Sequence, residues 1–472
     1  MRIIHTSDWH LGQYFYGKSR ANEHQQFLNW LLSQVKTHNV NAIIVAGDIF
    51  DTATPPSYAR QMYFNFISNM QTLDCQLIVL AGNHDSVSML AESKELLGAL
   101  NTQVIANVTD TSINGNLAEQ VFAINDKQGK PQAVMCAVPF IRPRDVIKSQ
   151  AGQSATDKST SLQQAIVSHY QYLFEQAQQL VVKLKVNNSE AKLPIIATGH
   201  LTALGVTTSD SVRDIYIGTL EALPSSAFPA ADYIALGHIH RTQKVGKTEH
   251  IRYCGSPIAL SFDEAKQTKS VLMVDFTQGK LSSITDLSVP CFQPLAMVKT
   301  SLENLNQDIE KTVANSLKNE QSAETQANTK LWLDIELSNA GLLNDLQPRI
   351  MALVKDFPVE VLLVRREKQV RKRLMLQNQQ EQSTLNELTL EDVFSSRLNQ
   401  EVWLLDGEGD NQPNDVDTSD ATTNEQINDN GQTLQRKTQL QTLFKQTVAQ
   451  VLAQEPSTKN SQVEETVAQE QK

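Results

Sequence analysis

Five short groups of polar residues stand at the ends of apolar runs in this chain: Asp8-Trp9-His10, Gly47-Asp48, Gly82-Asn83-His84-Asp85, Gly199-His200 and Gly237-His238-Ile239-His240. Imidazole and carboxylate mixtures without thiolate suit Mn, Fe, Zn or Ni better than Mg or Ca alone. Seven donors (Asp8, His10, Asp48, Asn83, His200, His238 and His240) exceed what one ion needs, and a pair of ions bridged by Asp48 accounts for all of them. Two ions roughly 3.5–4 Å apart hold a phosphate, acidify a water between them and neutralise transition-state charge. The chemistry is phosphoester hydrolysis, lacking only a proton for the leaving oxygen. His84 is the candidate donor, because imidazole titrates near neutral pH, and Asp85 beside it is the candidate to orient it. A single GD or GH is an ordinary turn, but five such groups in order at strand ends form one constellation. The remaining histidines (His5, His24, His38, His169 and His250) lack that setting and read as structural or surface residues. Gly246-Lys247-Thr248 does not complete a phosphate-binding loop, since Arg241 stands where the first glycine is required.

The elements that must position these groups follow from the apolar pattern. Strands are expected at 2–5, 42–46, 76–81, 133–138, 195–198 and 233–236, separated by helical faces such as Phe27, Leu28, Leu31, Leu32 and Val35. A second face is Leu162, Ile166, Leu173, Leu180, Val181 and Leu184. Ligand sites in α/β sheets lie beyond the carboxyl ends of the strands, so the five groups meet in one crevice. Residues i and i+2 of an extended chain point the same way, so Asp8 with His10, and His238 with His240, are expected to face it together. Near Val289 the pattern changes to strand 295–299, helix 302–317, strand 331–337, helix 343–354 and strand 359–364, a βαβαβ capping domain. A basic segment follows (Arg365, Arg366, Lys368, Arg371, Lys372, Arg373), then a helix capped by Thr389 with Leu390, Val393, Phe394 and Leu398 on one face. The polar, acidic stretch 406–432 reads as disordered, and a last helix carries Leu440, Leu443, Phe444, Val448, Val451 and Leu452. The expected division is 1–285, 286–366, 367–405, 406–432 and 433–472.

A chain of 472 residues exceeds one core, and 40% apolar with 20% charged residues is ordinary for a globular protein. No window approaches eighteen uninterrupted apolar residues, so no membrane span is expected, and the amino terminus reads as a strand rather than a signal peptide. Cys75, Cys136, Cys254 and Cys291 are scattered without CxxC spacing, as in a reduced cytoplasm. A net charge of −11 argues against DNA binding until its distribution is read: residues 406–472 hold twelve acidic and five basic side chains, leaving −4 for the rest. Lys18 and Arg20, beside aromatic residues in a loop at 14–20 just past His10, are the expected DNA contacts.

In this order, DxH, GD, GNHD, GH and GHxH resemble the calcineurin-like metallophosphoesterases, a superfamily of phosphatases, phosphodiesterases and nucleases. Neighbouring residues narrow the likeness. His10-Leu11-Gly12, Lys18-Ser19-Arg20, Glu23-His24-Gln25, Gly47-Asp48-Ile49-Phe50-Asp51, Pro55-Pro56-Ser57-Tyr58-Ala59-Arg60 and Tyr253-Cys254-Gly255-Ser256-Pro257 resemble the bacterial SbcD family over about residues 1–265. Leu390-Glu391-Asp392-Val393-Phe394 extends the likeness weakly, whereas 406–432 looks like an insertion. The resemblance implies an α/β fold, a β-sandwich flanked by helices with a smaller α+β capping domain. It implies two Mn²⁺ ions, one held by Asp8, His10, Asp48 and His240, the other by Asp48, Asn83, His200 and His238, with His84 acting on the leaving group. It also implies a cytoplasmic, nucleoid-associated nuclease acting on DNA ends and hairpins, dimeric within a heterotetramer with a coiled-coil ATPase of the SbcC type. Relatives often carry His directly after the GDxF run, where this chain has Asp51. Two other functions bear comparison: a phosphatase or small-nucleotide phosphodiesterase, and a non-catalytic DNA-end scaffold. A small substrate needs neither capping domain nor basic segment, and a scaffold need not keep every donor.

Overall fold

The run Ala42–Ala46 is apolar at every position because both faces of its strand are covered. It lies in a six-stranded sheet with the order Lys280–Ser288, Ser270–Thr277, Arg2–Thr6, Ala42–Ala46, Gln76–Leu80, Thr102–Ile105. The last four of these run parallel. A second six-stranded sheet has the order Gln243–Lys244, Ile251–Tyr253, Tyr233–Gly237, Ile195–His200, Pro131–Cys136, Val121–Asn125. This is a computed structural model, describing residues 1–367 apart from 109–118, 148–153, 187–191, most of 214–221, 319–328 and 339–345, together with scattered positions between 394 and 447.

The sheets face each other. Ile3, Ile44 and Ile78 of the first are buried in one cluster with Met135, Ile196 and Ala235 of the second. The alternate residues of each strand point outward. In the first sheet Ile4, Ile43 and Val79 pack on Phe27, Leu31 and Phe66 from helices Ala21–His38 and Ser57–Met70. In the second, Val134, Ala197 and Ile234 pack on Leu162, Ile166 and Leu173 of helix Ala155–Val186. The result is the expected β-sandwich with helices on both outer faces.

Strands Leu295–Thr300, Leu331–Leu337 and Val359–Arg366 form a third, parallel sheet in chain order. Helices Leu305–Lys318 and Leu346–Val354 cover it, burying Leu305, Ile309, Ile350 and Val354 on Val298, Leu333 and Ile335. This βαβαβ segment has its own core, yet Met1–Glu367 is one compact unit. A hairpin of Tyr14–Phe15 with Lys18–Ser19 lies against it: Phe15 stacks on Trp332 with centroids 5.8 Å apart, and Lys18 pairs with Glu360. Tyr16 (φ 48°) and Gly17 (φ 84°) make the two-residue turn, both left-handed. A tyrosine there bears a backbone penalty of about 1–2 kcal/mol.

Arg365 belongs to the last strand of this sheet instead of a free basic segment, its Nε 3.0 Å from the buried Asp334 carboxylate. Residues 368–373, the expected partner helix apart from Phe394, and the acidic stretch 406–432 lie outside the described residues. In the separate unit Lys368–Lys472, Phe394 and Phe444 stack at 4.0 Å. Among the described residues no helix is long and apolar enough to cross a membrane.

Candidate metal centre

Asp8 and His10 follow strand Arg2–Thr6, Asp48 follows Ala42–Ala46, and Asn83 follows Gln76–Leu80, three neighbours in the first sheet. His200 closes strand Ile195–His200, and His238 and His240 follow Tyr233–Gly237, neighbours in the second. All seven donors therefore leave carboxyl ends of strands and come together. The local geometry differs from an extended chain, however. Asp8 (φ 53°), His10 (φ 47°), Asp48 (φ 50°) and His238 (φ 92°) are left-handed, so tight turns, and not strand alternation, aim these pairs. Such conformations cost about 1–3 kcal/mol each and persist where surrounding structure enforces them. Gly82 is required for a different reason: a Cβ there would run into the Asp48 carboxylate.

Asp48 Oδ2 lies 3.2 Å from His200 Nε2 and 3.7 Å from His10 Nε2. Asn83 Oδ1 lies 3.0 Å from His200 Nε2 and 3.1 Å from His238 Nδ1. On the other side His240 Nε2 is 3.9 Å from Asp8 Oδ1. Three triads have donor atoms within 4.8 Å of one another: Asp8, His10 and His240; His10, Asp48 and His84; Asp48, His200 and His238.

A cation fits this cluster. Two carboxylates, Asp8 and Asp48, are buried within 4 Å of imidazole nitrogens, and the Nε2 atoms of His10 and His238 are buried without a hydrogen-bond partner. Burial opposes charge on Asp48, but His200 holds its carboxyl well below the usual range. His200 is itself pushed up to about 9, burial being outweighed by the charge and hydrogen bond of Asp48. Burial and the charge of His200 hold His238 well below the usual imidazole range, leaving it neutral as ligation requires.

His84 lies at the edge of the cluster, its ring 4.7 Å from that of His10 and its backbone N–H donating to Asp48 Oδ1 at 2.9 Å. Its Nδ1 is 2.7 Å from the Asp51 carbonyl oxygen. The carboxylate of Asp85, expected to orient His84, is turned elsewhere: it accepts from the N–H groups of Ile49, Phe50 and Gly82 at 3.2, 3.0 and 2.8 Å. It thereby ties together the loops that carry Asp48 and Asn83. The orienting group on His84 is the Asp51 backbone, while the Asp51 carboxylate reaches His10 Nδ1 at 3.2 Å.

Further supporting residues escape a reading of the sequence. Ser211 Oγ stands 2.6 Å from His240 Nδ1 and donates to Glu264 Oε1 at 2.5 Å. Glu264, fully buried, also receives Lys269 Nζ at 2.6 Å. Nothing in the spacing from His240 to Glu264 signals this. The expected DNA contact Arg20 is also corrected. Arg20 is 1% exposed, pairs with Glu23, donates to the Ala259 carbonyl and lies 5.0 Å over the Phe15 ring. Its guanidinium is consumed in holding the hairpin down. Lys18 remains at the surface.

Residues 1–242 match the model for the calcineurin-like phosphoesterase family, and residues 291–402 match the type 5 capsule protein repressor C-terminal domain. The chain belongs to the calcineurin-like phosphoesterase family, and with its donor set is a metal-dependent hydrolase. Within that class it is 50% identical over 398 residues to the SbcD component of nuclease SbcCD from Escherichia coli strain K12, across 84% of this chain and 92% of that protein. The corresponding SbcCD component of Bacillus subtilis is 30% identical over 306 residues, covering 64% of this chain and 73% of its own length. That of Rhodobacter capsulatus is 29% identical over 305 residues, covering 63% and 71%.

Proposed function

We propose that the chain is the nuclease subunit of an SbcCD-type complex and hydrolyses DNA phosphodiester bonds with two divalent ions, most simply Mn²⁺. The supporting observation is Asp48 Oδ2, which stands between His10 and His200 with Asp8 and His240 on one side and Asn83 and His238 on the other. Asp8, His10, Asp48 and His240 would hold one ion, and Asp48, Asn83, His200 and His238 the other. When bound, the ions supply charge for the phosphate and a more acidic water.

The chain's own residues supply the rest. A carbonyl only accepts, so the His84 Nδ1 facing Asp51 carries a hydrogen, and Nε2 is the nitrogen that can hand a proton to the leaving oxygen. Burial pulls the His84 pKa downward, partly offset by Asp48, which makes its cation a readier acid. Asp51 would fix the ring of His10, Ser211 backed by Glu264 that of His240, and Asp85 the loops.

Residues 1–285 would act as nuclease domain and 286–366 as capping domain over a large substrate. Segment 367–405 would dock an SbcC-type coiled-coil ATPase in a cytoplasmic, nucleoid-associated heterotetramer. Expected activities are a 3′–5′ exonuclease on duplex ends and an endonuclease on single strands and hairpins. The test is cleavage of linear duplex, hairpin DNA and a chromogenic phosphodiester, with and without Mn²⁺ and the ATPase partner. Turnover of the ester alone would replace this proposal with a small-substrate phosphodiesterase.

A further inference from the structure

The hairpin at 14–19 presents two large aromatic side chains to solvent beyond the contacts that seat it. Tyr14 and Tyr16 are 60% and 51% exposed, whereas Phe15 between them is buried against Phe262 and Trp332. Tyr16 also occupies a left-handed turn position that Asn or Gly fills without penalty. Its ring lies beside Phe262 at 5.4 Å and 32° and meets Phe15 edge-on at 4.9 Å, with half of the side chain still exposed. The hairpin is anchored rather than loose: Arg20 beneath Phe15, Phe15 on Trp332 and Lys18 on Glu360 hold it from both sides. It is also joined directly to the metal centre, since Gln13 N–H donates to the carbonyl of His10.

Resting on the nuclease reading above, we infer that Tyr14 and Tyr16 form a stacking platform for unpaired bases of a DNA strand entering the metal centre. A base inside a duplex has both faces occupied, whereas an unpaired base offers a free one. Aromatic stacking therefore selects single strands and hairpin loops, and it does so without regard to sequence. With Arg20 buried, these rings replace it as the hairpin's main handle on the substrate. A rigid platform loses little freedom on binding, which suits the anchoring seen here.

The experiment uses the full chain with its ATPase partner and Mn²⁺. Tyr16→Asn is chosen because Asn is favoured at that turn position and preserves the hairpin; it is combined with Tyr14→Ser. The expected result is a rise of about tenfold in KM for a single-stranded oligonucleotide, with kcat unchanged, from loss of stacking. Quenching of 2-aminopurine placed near the scissile bond should be lost, while turnover of a chromogenic phosphodiester stays the same. Unchanged KM and quenching would overturn the platform and leave the nuclease reading standing. Equal loss on the small ester would also overturn it, since the hairpin would then serve the metal centre. Ester turnover without any DNA cleavage by the unsubstituted protein would instead sink the reading beneath it.

Discussion

The backbone N–H of His84 donates to Asp48 while its ring engages the Asp51 carbonyl through Nδ1, so replacing the side chain leaves the backbone hydrogen bond intact. His84→Gln should therefore abolish DNA cleavage while circular dichroism and bound metal, measured by equilibrium dialysis, remain normal. Retained cleavage would remove His84 from the reaction. A second expectation concerns acid. Burial pushes His169 down to about 4, whereas in the unfolded chain it takes a proton near 6.5. Between those values the unfolded state binds more protons, so stability falls as pH drops. His169 alone should account for about 2 kcal/mol between pH 7.5 and pH 5, read as the urea midpoint of chelated protein. In His169→Gln that dependence should shrink, and an unaltered slope would refute the assignment. At this scale the candidate donors are legible in the sequence because five such groups recur in order at strand ends, where any one alone would be an ordinary turn. Asp51 and Glu264 are not, since carboxylates are frequent and neither has a diagnostic spacing. Asp85 is visible but its role is not: a buried carboxylate flanked by three free N–H groups turns toward them before it turns toward a ring.

Strands whose faces are both buried announce themselves as continuous apolar runs, and Ala42–Ala46, Gln76–Leu80 and Tyr233–Gly237 are legible on that basis. The edge strand Lys280–Ser288 is half exposed and mixes Ser, Thr and Asp with Leu and Ile, so its sequence says little. The turns that aim the donors are also hidden, because nothing in Asp8-Trp9-His10 signals positive φ. The segment 14–19 reads only as a loop, yet it folds as a hairpin that clamps the third sheet through Phe15. Phe15 is 2% exposed and meets Tyr16, Phe262 and Trp332. Phe15→Ala should lower unfolding stability by about 3–5 kcal/mol, measured by denaturant titration. A loss below about 1 kcal/mol would show that the clamp contributes little.

Across the whole chain, the net charge of −11 misleads because so much of it sits beyond residue 405. If the proposed docking segment binds the ATPase partner, deletion of 383–400 should abolish co-purification with it while ester hydrolysis survives. Undiminished co-purification would place docking elsewhere. The donors have a consequence of their own at this scale. Asp8, His10, Asp48 and Asn83 come from one sheet, and His200, His238 and His240 from the other. Two metal ions held by these residues, as proposed, would rivet the two halves of the sandwich across the end where their strands stop. Manganese at a hundred times its dissociation constant should raise unfolding stability by about 2.7 kcal/mol per site, and Asp48→Asn should lose most of that gain. The lifetime of the folded chain would then follow the supply of the same ion that its chemistry uses as a tool, so a metal-starved molecule would be both idle and quicker to unfold.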